Sequence, residues 1–268
     1  GERAGDLSVA AAIALRPNAH TAQSSSLFCQ RRRRSSASTY SALACSCDQA
    51  SSAVTGTNGK SSTVDFLRQI WASMGRKAAS MGTLGAIGPS GVVDLGHTTP
   101  DPVAIHDTLE KLAKEGVTHA AMEASSHGLD QFRVNGVSFR SAVFTNLTRD
   151  HLDYHGTMAE YGASKAKLFH WQGLQHAVIN ADDAFGRQLA SDIDQSRTRV
   201  ITYGLEQGDV RPLSLAANLD GLQLTVTTPW GDAEIKSPLL GRFNAANMLA
   251  CLAVLCANGV ALGDAARV

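Results

Sequence analysis

The stretch Val54-Thr55-Gly56-Thr57-Asn58-Gly59-Lys60-Ser61-Ser62 constrains this chain more than any other. A short apolar stub, Ala53 and Val54, runs into two glycines, a lysine and a hydroxyl pair, and a helically periodic segment follows at once. That order is the strand, phosphate loop and helix start of a nucleotide-binding site. Glycines let backbone N–H groups turn toward anionic oxygens, the helix N-terminus adds partial positive charge, and Lys60 adds a full one. The Ser61 hydroxyl is placed to hold a magnesium ion between phosphates. The generic eight-residue signature needs glycine five positions before Gly59, where this chain has Val54, so the loop is a shorter variant.

The 268 residues permit one large domain or two small ones, and 44% apolar content is ample for a packed core. Charge is balanced, 24 basic against 24 acidic residues, which argues against a nucleic-acid or polyanion binder but leaves room for an anionic small molecule. The cysteines Cys29, Cys45, Cys47, Cys251 and Cys256 show no zinc spacing and read as reduced thiols of a cytosolic protein. No apolar run approaches the ~20 residues of a membrane span. Residues 1–52 are serine-dense, with a basic block at Arg31 to Arg34, and are expected to be a disordered or non-native leader with at most marginal helix at 7–15. Their Arg- and Ser-rich character superficially resembles a transit peptide.

From residue 53 strand and helix signals alternate. Val64, Leu67, Ile70, Trp71 and Met74 fall at helical spacing, stopped by Gly75. A short strand near 77–84 follows, then a helix opened by Asp101-Pro102 and closed by Gly116. Val117 to Ala124 and Phe139 to Leu147 read as strands, and Thr157 with Glu160 as the capping box of a helix reaching about Trp171. Strand 176–180, helix 183–191 and strand 198–203 continue the pattern. Residues 213–237 alternate with period two around Asp220-Gly221 and predict antiparallel hairpins. An apolar helix over 242–257 comes last. The fold class is therefore α/β: a doubly wound, mostly parallel sheet with the phosphate loop, plus an antiparallel hairpin flank.

Four further polar segments sit at strand ends, where an open parallel sheet places its ligand. His97 to Pro102 is explained well enough as a proline-bounded turn with a helix cap. In Met122-Glu123-Ala124-Ser125-Ser126-His127-Gly128-Leu129-Asp130-Gln131-Phe132-Arg133 a carboxylate ends an apolar strand. A strand-end acid opposite a phosphate loop suits a magnesium partner better than a helix cap. In Phe144 to Gly156, His151 and His155 stand among two aspartates just after a strand, which leans toward a metal or phosphate site. In Tyr161 to Phe169, Lys165 shares a face with Tyr161 and Phe169. On spacing alone it reads as an amphipathic stem reaching solvent.

Taken together these segments resemble the Mur ligase family, and within it the UDP-N-acetylmuramoyl-tripeptide synthetases. The resemblance rests on Thr55 to Lys60, Thr98 to Asp101, Glu123 to Leu129, Thr145 to Asp153, Ala163 to Phe169 and Gly241-Arg242-Phe243-Asn244-Ala245-Ala246-Asn247. It runs in order over about 54–259. It implies an ATP-dependent ligase that activates the carboxylate of UDP-N-acetylmuramoyl-L-Ala-D-Glu as an acyl phosphate, which the amine of meso-diaminopimelate or L-lysine then attacks. Gly56, Thr57, Asn58, Gly59, Lys60, Ser61 and Ser62 would wrap the ATP phosphates, with Asn244 and Asn247 toward the adenine. Ser61 and Glu123 would hold one Mg2+. His151 and a carbamylated Lys165 would hold a second, which replaces the solvent-reaching reading of Lys165. Lys60, Glu123, His151 and Lys165 would thus be catalytic. Thr98, Thr99, Ser125, Gln131 and Arg133 would contact the nucleotide-sugar peptide. The implied protein is a cytoplasmic monomer, without nucleic-acid or membrane partners.

Four departures qualify the likeness. Asp48 to Ser52 is polar where the family has a longer aliphatic run, Ser61-Ser62 stands where threonine is more usual, and His97 where asparagine is. Residues 1–52 do not resemble the family's N-terminal uridine-binding domain. On this reading 53–260 is the central ATP-binding domain and 261–268 the start of a linker to an absent C-terminal domain. The chain would then bind Mg-ATP but ligate poorly or not at all. Two alternatives are a folylpolyglutamate synthetase-like ligase, against which His127 to Arg133 speaks, and a non-catalytic nucleotide-binding remnant.

Overall fold

The computed structural model describes residues 51–267. The helix expected at 7–15 and the cysteines Cys29, Cys45 and Cys47 lie outside them. The first half runs β1 (Ser51–Thr55), α1 (Lys60–Ser73), β2 (Ala78–Gly82), β3 (Gly85–Gly88), β4 (Gly91–Val93), α2 (Pro102–Lys114), β5 (His119–Glu123), α3 (Ser126–Asp130) and β6 (Ser141–Phe144). There follow α4 (Leu152–His155), α5 (Met158–Ala166), β7 (His176–Asn180), α6 (Ala184–Asp192), β8 (Arg199–Tyr203), β9 (Arg211–Asn218), β10 (Gly221–Thr228), β11 (Gly231–Ser237), α7 (Arg242–Ala257) and α8 (Leu262–Ala265).

One sheet has the order β4-β3-β2-β5-β1-β6-β7-β8, and β2 to β8 within that order are parallel. Strand side chains alternate between its faces. Val54, Val143 and Val178 join Val64, Leu67 and Trp71 of α1 and the buried residues of α7, whereas Ala53, Ala142, Phe144, Ala177 and Ile179 join Ile105, Leu112, Phe169 and Leu189. Helices therefore cover both faces, as the alternation of elements requires. The hairpin segment forms a separate antiparallel sheet, β11-β10-β9, whose Leu222, Leu224 and Val226 turn inward to the α7 cluster. This is why α7 lacks a polar stripe: every residue from Leu249 to Cys256 is buried. Its thiols Cys251 and Cys256 are unpaired, and burial raises both, Cys256 to about 11. Among the described residues no helix is long and apolar enough to cross a membrane.

Three details differ from the sequence-based reading. β1 begins at Ser51, inside the stretch assigned to the leader, because Ser51 Oγ donates to the Ser138 carbonyl at 2.6 Å and the polar side chain can be buried. β3 and β4 continue the sheet antiparallel past β2. The helix capped by Thr157 and Glu160 ends at Ala166 and gives way to a 3-10 turn, Lys167–His170.

β1 is the switch point. The chain leaves it for β2 on one side, and β6, β7 and β8 extend the sheet on the other. The crevice at the carboxyl ends of β1, β5 and β6 is where such a sheet receives a ligand. At the opposite end His119 and His176 start β5 and β7, half-buried. Burial lowers both imidazoles, helped by Arg76 at His119 and by Arg140 and Arg199 at His176. The fold thus favours the neutral rings, while the unfolded chain takes up protons below about pH 6.5. The stability they contribute is present above that pH and is lost on acidification. Melting temperature is expected to fall from about pH 7 to about pH 5, with a shallower slope in a His119→Asn/His176→Asn variant. An unchanged slope in that variant would contradict this assignment.

Candidate nucleotide and metal site

Gly56 leaves β1 at φ +148° and Gly59 precedes α1 at φ +83°, backbone conformations that L side chains rarely adopt. Each is also crowded. A Cβ on Gly56 would collide with Thr145 Oγ1, and one on Gly59 would lie 2.7 Å from Asn247 Oδ1. The loop between them is braced by the segment after β6. Thr57 N donates to Asn146 O (2.8 Å), Asn58 N to Asn146 Oδ1 (2.9 Å), and Thr145 Oγ1 to Asn58 O (2.6 Å). Thr148 N donates to Thr57 Oγ1 at 3.0 Å, and that hydroxyl lies 3.2 Å from the Tyr161 hydroxyl. Ser61 and Ser62 stand in the first turn of α1.

Two lysines converge on one acceptor. Lys60 Nζ donates to the carbonyls of Gly56 (3.0 Å) and Thr57 (2.8 Å), and Lys165 Nζ donates to the same Gly56 carbonyl at 2.9 Å. Lys165 is 1% exposed, with its amine 4.2 Å from the centre of the Tyr161 ring. It does not reach solvent. Burial, and then the Lys60 charge, push its ammonium down to about 7, against some support from Asp150. Lys60 is lowered too, by burial, while Glu123 and Asp150 oppose the shift. Two cations brought together in a partly dehydrated pocket would gain from an added anion.

Glu123 ends β5, buried. Its Oε1 accepts Ser61 Oγ and the backbone N of Thr83, both at 2.8 Å, and its Oε2 accepts Thr83 Oγ1 at 3.3 Å. The carboxylate presses on Gly82, where no Cβ fits. Thr83, whose hydroxyl is also 3.0 Å from that of Thr98, was not singled out in the sequence. Among the described residues no group of three or more His, Cys, Asp or Glu side chains is arranged to hold a metal. One carboxylate and one hydroxyl beside a phosphate loop nevertheless fit Mg2+, which takes few protein ligands and completes its shell with phosphate and water.

His151 has φ +52°, is half-exposed, and lies 3.4 Å from Asp150 through Nε2. Its ring is 5.1 Å from that of His127 and 6.0 Å from that of Tyr161, so His151 and Lys165 adjoin the same tyrosine. Arg133 and Gln131 form one unit: the guanidinium Nε and Nη2 bond Gln131 Oε1 at 2.9 and 2.6 Å, and Nη1 bonds the Thr99 carbonyl at 2.8 Å. Gln131 Nε2 continues to the Tyr154 hydroxyl at 3.1 Å.

Several expected contacts are engaged within the protein. Thr99 is buried, its hydroxyl donating to Glu123 O and accepting from Ser125 N, both at 3.0 Å. Ser125 caps α3 by accepting from Gly128 N at 3.1 Å. Asn244 donates to Leu240 O at 2.8 Å, whereas Asn247 meets the loop at Gly59. Asp150, which acts on Lys60, Lys165 and Tyr161, was quoted in the sequence only as part of a motif.

A mostly parallel sheet with a short glycine-lysine loop after its central strand, a strand-end carboxylate and two lysines meeting at one carbonyl define a class, and the chain belongs to the Mur ligase family: the Mur ligase middle domain matches residues 54–255. A Chromobacterium violaceum protein named UDP-N-acetylmuramoyl-L-alanyl-D-glutamate--2,6-diaminopimelate ligase is 63% identical over 215 residues, 80% of this chain and 44% of that protein. The protein of the same name from Neisseria meningitidis serogroup A is 52% identical over 214 residues, 79% of this chain and 44% of that one. A solved structure of a ligase of that name superposes with a TM-score of 0.76 at 37% identity, over 81% of this chain and 45% of its own. MurF from Acinetobacter baumannii shares the fold, with a TM-score of 0.65 at 20% identity over 84% of this chain and 46% of its own. The chain thus spans 44% of the length of the curated relatives quoted.

Proposed function

We propose that this chain carries the nucleotide-binding core of an ATP-dependent, cytoplasmic ligase that joins 2,6-diaminopimelate to UDP-N-acetylmuramoyl-L-alanyl-D-glutamate in peptidoglycan precursor synthesis. The observation that carries the reading is the convergence of Lys60 and Lys165 on the Gly56 carbonyl beside the Ser61–Glu123 pair. The identity to ligases of that name favours diaminopimelate over lysine.

In this reaction a substrate carboxylate oxygen attacks the γ-phosphorus of ATP and ADP leaves. The amine then attacks the acyl carbon, phosphate departs, and the amine nitrogen loses a proton. Nucleotide and carboxylate are both anionic, so the first barrier is mutual repulsion. The loop N–H groups and the start of α1 receive phosphate oxygens, and Lys60 can leave its backbone acceptors to neutralise charge as it develops. Arg133, oriented by Gln131 and by the Thr99 carbonyl, offers a cation to the anionic substrate, with Thr98 and Ser125 as further contacts. Ser61 and Glu123 would hold one Mg2+, and His151 with the Lys165 carbamate a second, supplying positive charge that offsets that of the transferred phosphoryl group.

Lys165 suits carbamylation. An amine pushed down to about 7 has a substantial neutral fraction at physiological pH, unlike an ordinary lysine. Its lone pair can attack CO2, forming an N–C bond and releasing a proton. The carbamate exchanges a cation that Lys60 repels for an anion that it attracts.

The test is a swap. Residues 54–259 of this chain replace the matching span of the Chromobacterium violaceum ligase, and tripeptide product is measured by mass spectrometry. The chimaera is expected to form product with one ADP released per bond. A Lys165→Ala chimaera should lose it and regain part of it with short-chain carboxylic acids. A folded chimaera that binds ATP but makes no product would overturn the ligase reading. Undiminished activity of Lys165→Ala would overturn the carbamate.

A further inference from the structure

His155 is buried at the end of α4, and the proposed reaction makes no use of it. Its Nε2 lies 2.9 Å from Ser126 Oγ and its Nδ1 3.4 Å from Ser164 Oγ. The Ser164 hydroxyl gives its own hydrogen to the Glu160 carbonyl at 3.0 Å, so Nδ1 donates to Ser164 and Nε2 accepts the Ser126 hydrogen. A serine, an imidazole and an orienting hydroxyl in that order are the parts of a nucleophilic relay. Ser126 is only 1% exposed, however, which closes its oxygen to a substrate. The arrangement is a brace. We infer that His155 is a positioning residue, holding the Lys165 amine in place for its reaction with CO2, an inference that rests on the carbamate reading of that lysine.

Ser126 opens α3 shortly after Glu123, His155 closes α4 one turn after His151, and Ser164 precedes Lys165 in α5. The three segments that carry Glu123, His151 and Lys165 thus meet at one imidazole. The same ring acts on Lys165 through Tyr161. The His155 and Tyr161 rings lie 5.1 Å apart at 35°, and the Lys165 amine stands 4.2 Å from the centre of the Tyr161 ring. Tyr161 is tied at its other end, where its hydroxyl lies 3.2 Å from Thr57 Oγ1. A long, flexible lysine loses much freedom when fixed, and walls that are themselves fixed select the rotamer that reaches the Gly56 carbonyl. Carbamylation adds a planar carboxyl group at that amine through a new N–C bond, with one proton released to water. A displaced α5 would drive that group into the loop.

The test equilibrates the chain with 13C-labelled bicarbonate and reads the carbamate carbon by 13C NMR. Wild type is expected to show a carbamate signal that Lys165→Met loses. His155→Ala should lower carbamate formation about 10-fold, and His155→Gln, whose amide oxygen can accept the Ser126 hydrogen, should restore part of it. Gly75→Ala, destabilised at the opposite end of α1 from the loop, should keep the wild-type signal. Equal signals in His155→Ala and wild type would overturn the inference. So would an equal fall in Gly75→Ala, since the signal would then merely follow stability. Should His155→Ala not fold, Ser126→Ala is read in its place, and an undiminished signal there would overturn the positioning role. Absence of the signal from wild type would instead overturn the carbamate reading beneath it.

Discussion

Replacing Lys60 with alanine is expected to weaken Mg-ATP binding by about 100-fold or more, while the chain stays folded. On the proposed reading the lysine stands at the loop that would receive phosphate oxygens, and a charge-assisted bond in a partly desolvated pocket contributes about 2–4 kcal/mol. Its hydrogen bonds go to the backbone oxygens of Gly56 and Thr57, so binding would exchange neutral acceptors for phosphate. Removing it takes a cation from the buried Glu123, but that carboxylate keeps the Ser61 hydroxyl and the Thr83 backbone N–H as donors. Burial already disfavours its ammonium, and the Gly56 carbonyl keeps Lys165 as a donor. Calorimetry reads the affinity and thermal melting reads the fold. Wild-type affinity in Lys60→Ala would remove the loop from the nucleotide site.

Gly56→Ala is expected to damage both stability and binding, because two separate constraints meet at that residue. Its φ of +148° strains any L side chain, and the added methyl would occupy the space of Thr145 Oγ1. That hydroxyl holds the loop through Asn58 O at 2.6 Å and cannot move without freeing it. A loss of about 3 kcal/mol is expected, together with loss of nucleotide affinity. Gly75 is the control. It has φ +75° but nothing within 4 Å of an added Cβ, so Gly75→Ala should show the conformational cost alone, about 1 kcal/mol. Urea unfolding of the two variants compares them. Equal losses would show that Thr145 does not confine Gly56.

Signals that act locally were legible in the sequence. Asp101 accepts from Val103 N and Ala104 N, Thr157 and Glu160 cap each other, and α7 runs from Arg242 to Ala257 where its apolar run begins and ends. The phosphate loop is of this kind, since its glycines, lysine and helix start are consecutive. β3 and β4 were not legible. They are short, glycine-bounded and in β4 exposed, with no alternation to betray them.

The site divides along the same line. Thr83 fell inside the strand expected near 77–84 with no sign of a site role; it reaches Glu123 because Met81 pairs with Met122 across β2 and β5. The reading of Lys165 as a solvent-reaching stem failed for a like reason. Helical spacing places it on a half-apolar face, but the pairing of β1 with β6 and the packing of α5 bring it under Gly56, 109 residues away. Asn244 carried the right residue type for a ligand contact, yet its amide closes the turn at Leu240.

Titration of the wild-type chain with ATP, in Mg2+ and again with the metal chelated, tests the central claim most directly. Saturable binding of one nucleotide per chain in Mg2+, much weakened by chelation, is the expected result. An absence of saturable binding, or an affinity unchanged by removing Mg2+, would contradict the assignment of Gly56 to Ser62 and Glu123 as a magnesium-nucleotide site.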